Sequence, residues 1–136
     1  MIRLIAATII AATPATAAPL QGMRSGGGSI AKFATEIAAH SGSPVELRGQ
    51  CASACIMWLE KGCVVTSGAG QTWLSFHGPS WGGEPMAEAD FGAWSRFIAA
   101  HYPPAMADWY MQTGRHGMHH KSAAWAVRMG AEECKQ

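Results

Sequence analysis

Apolar residues at Ile30, Phe33, Ala34, Ile37 and Ala38 recur at helical spacing, and Ser29 before them is suited to cap the helix they predict. Gly42 offers a stop, after which Val45–Arg48 reads as a short extended segment. Residues 49–55 then turn tightly into a second apolar helix, carrying Ile56, Met57, Trp58 and Leu59 and ending near Lys61-Gly62. Residues 63–66 and 72–76 read as strands joined by a glycine-containing turn, the second running out at His77-Gly78-Pro79. Beyond the loop at residues 80–83, a long helix is expected over residues 84–100, with Ala87, Phe91, Trp94, Phe97 and Ile98 on one face. Pro103-Pro104 breaks it, and a further helix can start there with Met106, Trp109 and Tyr110 inward, until Gly114. A last short helix, capped by Ser122, carries Trp125, Val127 and Met129 and closes at Gly130. Strands interleaved with helices, without a repeat or a linker after residue 18, predict one α/β unit.

Composition narrows what such a unit can do. Charged residues make up 14% of the 136-residue chain and hydrophobic ones 49%, which excludes disorder and supplies a core. A formal net charge of +1 with no run of like charges makes nucleic acid and anionic membrane surfaces poor partners. The N-terminus adds a location. Arg3 precedes an apolar run over residues 4–12, and Ala15-Thr16-Ala17 follows as a cleavage site, so residues 1–17 read as a signal peptide and 18–136 as the exported, single-domain protein. The run falls short of the ~20 residues of a membrane span, so no membrane association is expected after processing. A periplasmic or secreted setting is oxidising, and Cys51, Cys55, Cys63 and Cys134 then suggest two disulfides, with three connectivities open. A metal site fits poorly, because the cysteines are not arranged as paired CxxC motifs and His116, His119 and His120 complete no familiar ligand set; no metal or other cofactor is expected.

Candidate chemistry centres on Ser53, which sits between Ala52 and Ala54 where a strand gives way to a helix. Small neighbours permit the sharp turn that exposes a hydroxyl, and the adjacent helix start favours developing negative charge. An isolated serine at such a junction is more often a helix cap, so Ser53 needs a base as partner. His77, at the end of a later strand, is the candidate, because α/β sheets gather functional groups at the carboxyl ends of their strands. Gly26-Gly27-Gly28 before the first helix would let backbone N–H groups approach an oxyanion. His40 and His101 read as satisfied helix-end residues, and His116, His119 and His120 as a polar loop. Among the six tryptophans, Trp81 alone is placed beside a substrate cleft, and the others are read as core.

Together, SGGGSI at residues 25–30, CASAC at 51–55 and FHGP at 76–79 resemble, in order and spacing, the Clp protease proteolytic subunit family and its exported relatives in the crotonase-like superfamily. There a loop of the form SPGGSV precedes a helix, a serine in a small-residue elbow follows, and a histidine comes at a later strand end. The resemblance implies a minimal crotonase/Clp-protease-like ββα fold with a mostly parallel sheet flanked by helices. It implies Ser53 as nucleophile, His77 as general base and the N–H groups of Gly27 and Ala54 as oxyanion hole. The substrate would be a peptide or protein. Family members form rings and work with an ATP-driven unfoldase, whereas ATP is not expected outside the cytoplasm, so any activity here would be unfoldase-independent.

Three departures qualify that inheritance. The family's aspartate that orients the histidine corresponds here to Met118, and Asp108 lies too far upstream to align, so a Ser-His pair oriented by backbone or water is what remains. The strand and helix that precede the family's glycine loop have little counterpart, which leaves a sheet edge to be covered by homo-oligomerisation or marks a shortened remnant. Finally, Cys51 and Cys55 bracket Ser53; a bond between them would fix the elbow and leave Cys63 to pair with Cys134. Two functional readings follow: an exported serine peptidase-like hydrolase, or a non-catalytic binding or scaffold protein on the same fold. A redox role for Cys51 and Cys55 is weaker, since CxxxC lacks the usual redox spacing.

Overall fold

The computed structural model describes residues 20–21 and 29–135. The signal-peptide segment and the glycine loop containing Gly27 lie outside the described residues.

Ser29 caps α1 (Ile30–Ala39) by accepting a hydrogen bond from the Lys32 N–H at 3.3 Å, as its residue type predicts. Phe33 and Ile37, one turn apart on that helix, are both buried. The chain then enters β2 (Val45–Arg48), whose Val45 and Leu47 point inward, and turns at Gly49 into β3 (Gln50–Ala52). A nine-residue 3-10 helix, Ser53–Lys61, leads back to β4 (Gly62–Val64). From there the chain runs through a turn to β5 (Trp73–Phe76). Successive strands therefore alternate between two sheets: β2 and β4 are parallel neighbours in one, β3 and β5 in the other. The 3-10 helix supplies the crossover that a parallel pair requires.

The first sheet has the order β1-β2-β4, where β1 is Leu20–Gln21, paired in parallel with Leu47 and Arg48. A short strand thus does precede the glycine loop and covers the β2 edge. On the far side, Glu133 forms a parallel bridge with Val64, held by Val64 N–H to Glu132 O and Cys134 N–H to Val64 O, each 2.8 Å. The second sheet has the order β3-β5-β8, in which β8 (His119–Ser122) runs antiparallel to β5. A two-stranded antiparallel hairpin, β6 (Ser80–Trp81) with β7 (Glu84–Pro85), stands apart. The class is α/β as expected. Pairing is parallel throughout the first sheet, mixed in the second and antiparallel in the hairpin.

The helices that follow are α2 (Glu88–Ala99), α3 (Pro104–Trp109), extended by a wide turn at Tyr110–Gly114, and α4 (Ala123–Arg128), whose Ser122 cap accepts from the Trp125 N–H at 3.1 Å. The expected start of the long helix at Glu84 is corrected: that residue belongs to the hairpin, and α2 begins four residues later. Its inward face is Ser95, Ile98 and Ala99, while Phe97 is 42% exposed. Leu47, Ile56, Met57, Val64, Leu74 and Met106 form the centre of the core, all fully buried.

Both disulfides are formed, Cys51–Cys55 and Cys63–Cys134. Their sequence separations are 4 and 71 residues, and the loop-closure relation assigns about 2 kcal/mol to the short link and about 4 kcal/mol to the long one. The replacement Cys63→Ala/Cys134→Ala is therefore expected to lower the unfolding free energy by about 2 kcal/mol more than Cys51→Ala/Cys55→Ala does. Urea denaturation of the two double variants checks the order, and equal or reversed losses would contradict it.

Candidate active site

Parallel pairing of β3 with β5 sets Ala52 beside Ser75, so the next residues outward, Ser53 and then His77, leave adjacent strands at their carboxyl ends. Ser53 takes the conformation that the elbow reading requires. Its φ is +55°, and no other non-glycine among the described residues has a positive φ. A left-handed conformation costs a non-glycine residue roughly 1–2 kcal/mol, so the surroundings must hold it there. The Cys51–Cys55 bond spans it, closing a five-residue loop with the two Cα atoms 5.4 Å apart and both cysteines buried. The side chain itself is only partly buried although its neighbours Ala52 and Ala54 are fully so. Ala54 lies in the first turn of the 3-10 helix, where backbone N–H groups have no partner within the helix and point out of its positive end.

His77 is fixed from three directions. Phe76, immediately before it, is enclosed by Trp109 and Trp125 with ring centroids 5.0 and 5.8 Å away and by Tyr102 at 5.8 Å, all edge-on. The Tyr110 hydroxyl donates to the His77 carbonyl at 3.0 Å. Burial pushes the Tyr110 hydroxyl far above its ordinary range, with Arg115 opposing the shift, so this donor stays protonated throughout the working pH range. Third, the His77 ring donates from Nδ1 to the Gly78 carbonyl at 2.7 Å. A carbonyl can only accept, so the proton of the neutral ring belongs on Nδ1 and Nε2 carries the lone pair. The Gly78 carbonyl thus fixes the plane of the His77 ring. Gly78 must be glycine for this: a Cβ there would lie 2.5 Å from the Arg115 carbonyl and 2.5 Å from Phe91 Cε2.

Ser53 and His77 open into one cleft of about 620 Å³. Its hydroxyls come from Ser29, Ser53 and Ser80, and its apolar walls from Ile30, Pro79, Trp81, Met86 and Trp94. Among the described residues no carboxylate, ammonium or guanidinium is in the lining. Trp81 stands on the β6–β7 hairpin, 58% exposed, with its ring edge-on to Trp94 at 6.2 Å. The hairpin turns through Gly82 and Gly83, both at positive φ, as a two-residue turn between antiparallel strands demands. Among the described residues the Ser53 hydroxyl and the His77 ring share the cleft without a hydrogen bond between them.

Several expectations change. Trp94 lines the cleft, and Trp73 is 51% exposed on β5, so neither is core as read from sequence. His119 and His120 belong to β8 rather than to a loop. His120 Nδ1 is bonded to Ser75 Oγ at 2.8 Å, and that hydroxyl also accepts from the Gln50 side-chain amide at 3.2 Å. His119 donates from Nε2 to the His116 carbonyl at 2.7 Å. The β5–β8 register pairs Phe76 with His119, and one further step sets Met118, 58% exposed, opposite His77. Asp108 is exposed on α3. His40 closes α1 and His101 is bonded to Glu60 at 2.7 Å, in keeping with helix-end roles. Among the described residues no group of three or more metal-ligating side chains occurs, and no helix is long and apolar enough to cross a membrane. Gly78 enters the sequence reading only within FHGP and Tyr110 only as an inward helix position, and nothing there marks either as a partner of His77.

Comparison with known proteins finds no matching family model, no matching curated protein and no matching solved structure.

Gly78→Ala is expected to cost about 1–3 kcal/mol, because both atoms its Cβ would meet belong to packed groups. Thermal or urea unfolding measures that loss. The ring signals of His77 in a two-dimensional NMR spectrum should move with it, and an unshifted His77 in a variant of native stability would contradict the assigned contact.

Proposed function

We propose that the protein is an exported serine hydrolase of peptidase type, with a minimal crotonase-like, Clp-type architecture. The observation that carries this reading is Ser53 held at a positive φ in the same cleft as His77, whose Nδ1 proton is committed to a backbone carbonyl. Two successive strand-strand-helix passages between paired sheets support the architecture. The two disulfides support export to an oxidising compartment, periplasmic or extracellular.

In this mechanism the Ser53 hydroxyl attacks a carbonyl carbon while His77 Nε2 takes its proton. The resulting imidazolium keeps its Nδ1–H on the Gly78 carbonyl, a dipole in place of a full negative charge. The carbonyl oxygen becomes an oxyanion beside the Ala54 N–H, with the Gly27 N–H as its second donor. His77 then returns the proton to the departing amine, and water repeats the sequence to free the serine. A neutral orienter stabilises the imidazolium less than a carboxylate does, so turnover is slow compared with a complete triad. The apolar walls that Ile30, Pro79, Trp81, Met86 and Trp94 give the cleft favour peptides with an apolar or aromatic side chain next to the reacting carbonyl, since a charged one would lose hydration against them. No unfoldase is involved, and the substrate reaches the open cleft directly.

A second reading, a non-catalytic binding or scaffold protein, is favoured by one observation: no carboxylate among the described residues shares the cleft with His77. Incubation of the mature protein with a fluorophosphonate probe separates the two. A single adduct by intact mass, absent from Ser53→Ala and slowed at least about a hundredfold in His77→Ala, is expected of the hydrolase. A folded wild type that takes up no probe would favour the binding reading. Trp81→Ala should raise the concentration of an aryl-bearing phosphonate needed for half-maximal labelling about tenfold, because it removes one apolar wall. Labelling kinetics across a concentration series read this directly, and an unchanged half-saturation would remove Trp81 from the binding wall.

A further inference from the structure

The elbow raises a question that the hydrolase chemistry leaves open. A serine at φ +55° is unfavourable by itself, and neither neighbour is a glycine that could share the turn. Polar contacts do not hold it either, since among the described residues the Ser53 side chain makes no hydrogen bond. The 3-10 helix that follows begins at Ser53 itself, with Ala52 at its cap position making no side-chain cap hydrogen bond. What does span the turn is covalent. Cys51 lies on β3, paired with Leu74 of β5, and Cys55 lies one turn into the 3-10 helix, so their bond ties a fixed strand to a fixed helix across Ser53. Cys51 is 1% exposed and Cys55 2%, which anchors both ends in the core.

We propose that the Cys51–Cys55 disulfide is the positioning device that holds Ser53 in its left-handed conformation, and that the hydroxyl is presented to the cleft only while that bond is intact. The cysteines act through Ser53 and touch no substrate. The second disulfide has a different part, since Cys63–Cys134 joins β4 to the C-terminal segment away from the cleft. Reactivity is then conditional on oxidation: the chain stays inert wherever thiols are kept reduced and becomes competent once the bond has formed. Reduction by a dithiol opens the bond by two thiol-disulfide exchanges, in which the reagent gives up two electrons and two protons and leaves as its own cyclic disulfide. The two cysteines are left as thiols, and reoxidation reverses the change.

The second half of the proposal, reactivity, rests on the hydrolase reading, whereas the first, conformation, does not. The test measures both. The one-bond Cα–Hα coupling of Ser53, obtained by NMR on labelled protein, reports the sign of φ, and fluorophosphonate labelling reports the hydroxyl. In Cys51→Ala/Cys55→Ala the coupling is expected to move to the value of negative φ and labelling to slow about tenfold or more, in line with the population of the left-handed state being lost. Cys63→Ala/Cys134→Ala is expected to change neither, although its stability falls. Should the first variant not fold, Cys63→Ala/Cys134→Ala reduced with dithiothreitol takes its place, because Cys51–Cys55 is then the one disulfide left to open and no heavy atom of the elbow is lost, and reoxidation should restore both signals. A positive φ that survives loss of the bond overturns the proposal, whether labelling falls or not. An oxidised wild type that never labels sinks the hydrolase reading alone, and the coupling then still decides what the disulfide does to Ser53.

Discussion

The parallel pairing of β3 with β5 is the constraint on which the cleft depends. Its register, Gln50 with Trp73 through Ala52 with Ser75, carries two points distant in sequence to neighbouring strand ends. A one-residue slip would turn Leu74 and Phe76, both buried, away from their places in the core and bring the exposed Trp73 toward it. That penalty fixes the register, and the register fixes the cleft. The 3-10 helix adds to the same constraint: it is buried from Ala54 to Leu59, so the strand before it and the strand after it have little freedom to move separately. Its tighter winding also lets nine residues return the chain to the first sheet.

Support for the histidine side comes from the second half of the chain. Phe76 is gripped by aromatic rings from the wide turn and helices that follow it, and Lys121 lies over Trp109 and Trp125 at 5.2 and 5.1 Å, closing the outer side of that cluster. Beside it, the Tyr110 hydroxyl reaches the His77 backbone from a turn that the helix needs in order to widen. Packing of this kind holds the backbone of His77, while its own ring is steered by the adjacent Gly78 carbonyl.

Legibility in the sequence tracked how local the responsible physics is. Caps at Ser29 and Ser122, the face carrying Phe33 and Ile37, and the elbow at Ser53 all follow from interactions within a few residues, and all were readable. β8 was not, because His119-His120-Lys121-Ser122 carries no apolar alternation; its strand character comes wholly from pairing with β5. The β6–β7 hairpin falls partly inside the helix expected from Glu84, because the periodic face that begins at Ala87 does not mark where the helix starts, whereas Gly82-Gly83 forms the hairpin turn. The sequence reading places every tryptophan but Trp81 in the core, yet Trp73 starts β5 and is 51% exposed while Leu74, Ser75 and Phe76 after it are buried. Of the proposed site, residue types and order were visible in advance. The contacts that orient His77 were not, since both are made to or by backbone groups.

The two disulfides also impose an order of events on a chain that emerges from its N-terminus. With a separation of 4 residues, Cys51 and Cys55 meet at high effective concentration as soon as both are exposed, whereas Cys63 must wait for a partner 71 residues away. Early closure of the short loop withdraws Cys51 and Cys55 from the pool of partners that Cys63 could take wrongly. The waiting thiol is then left with Cys134, whose arrival brings Glu133 onto the bare edge of β4. Correct pairing is in this way a matter of timing, with the small loop acting as proofreader for the large one.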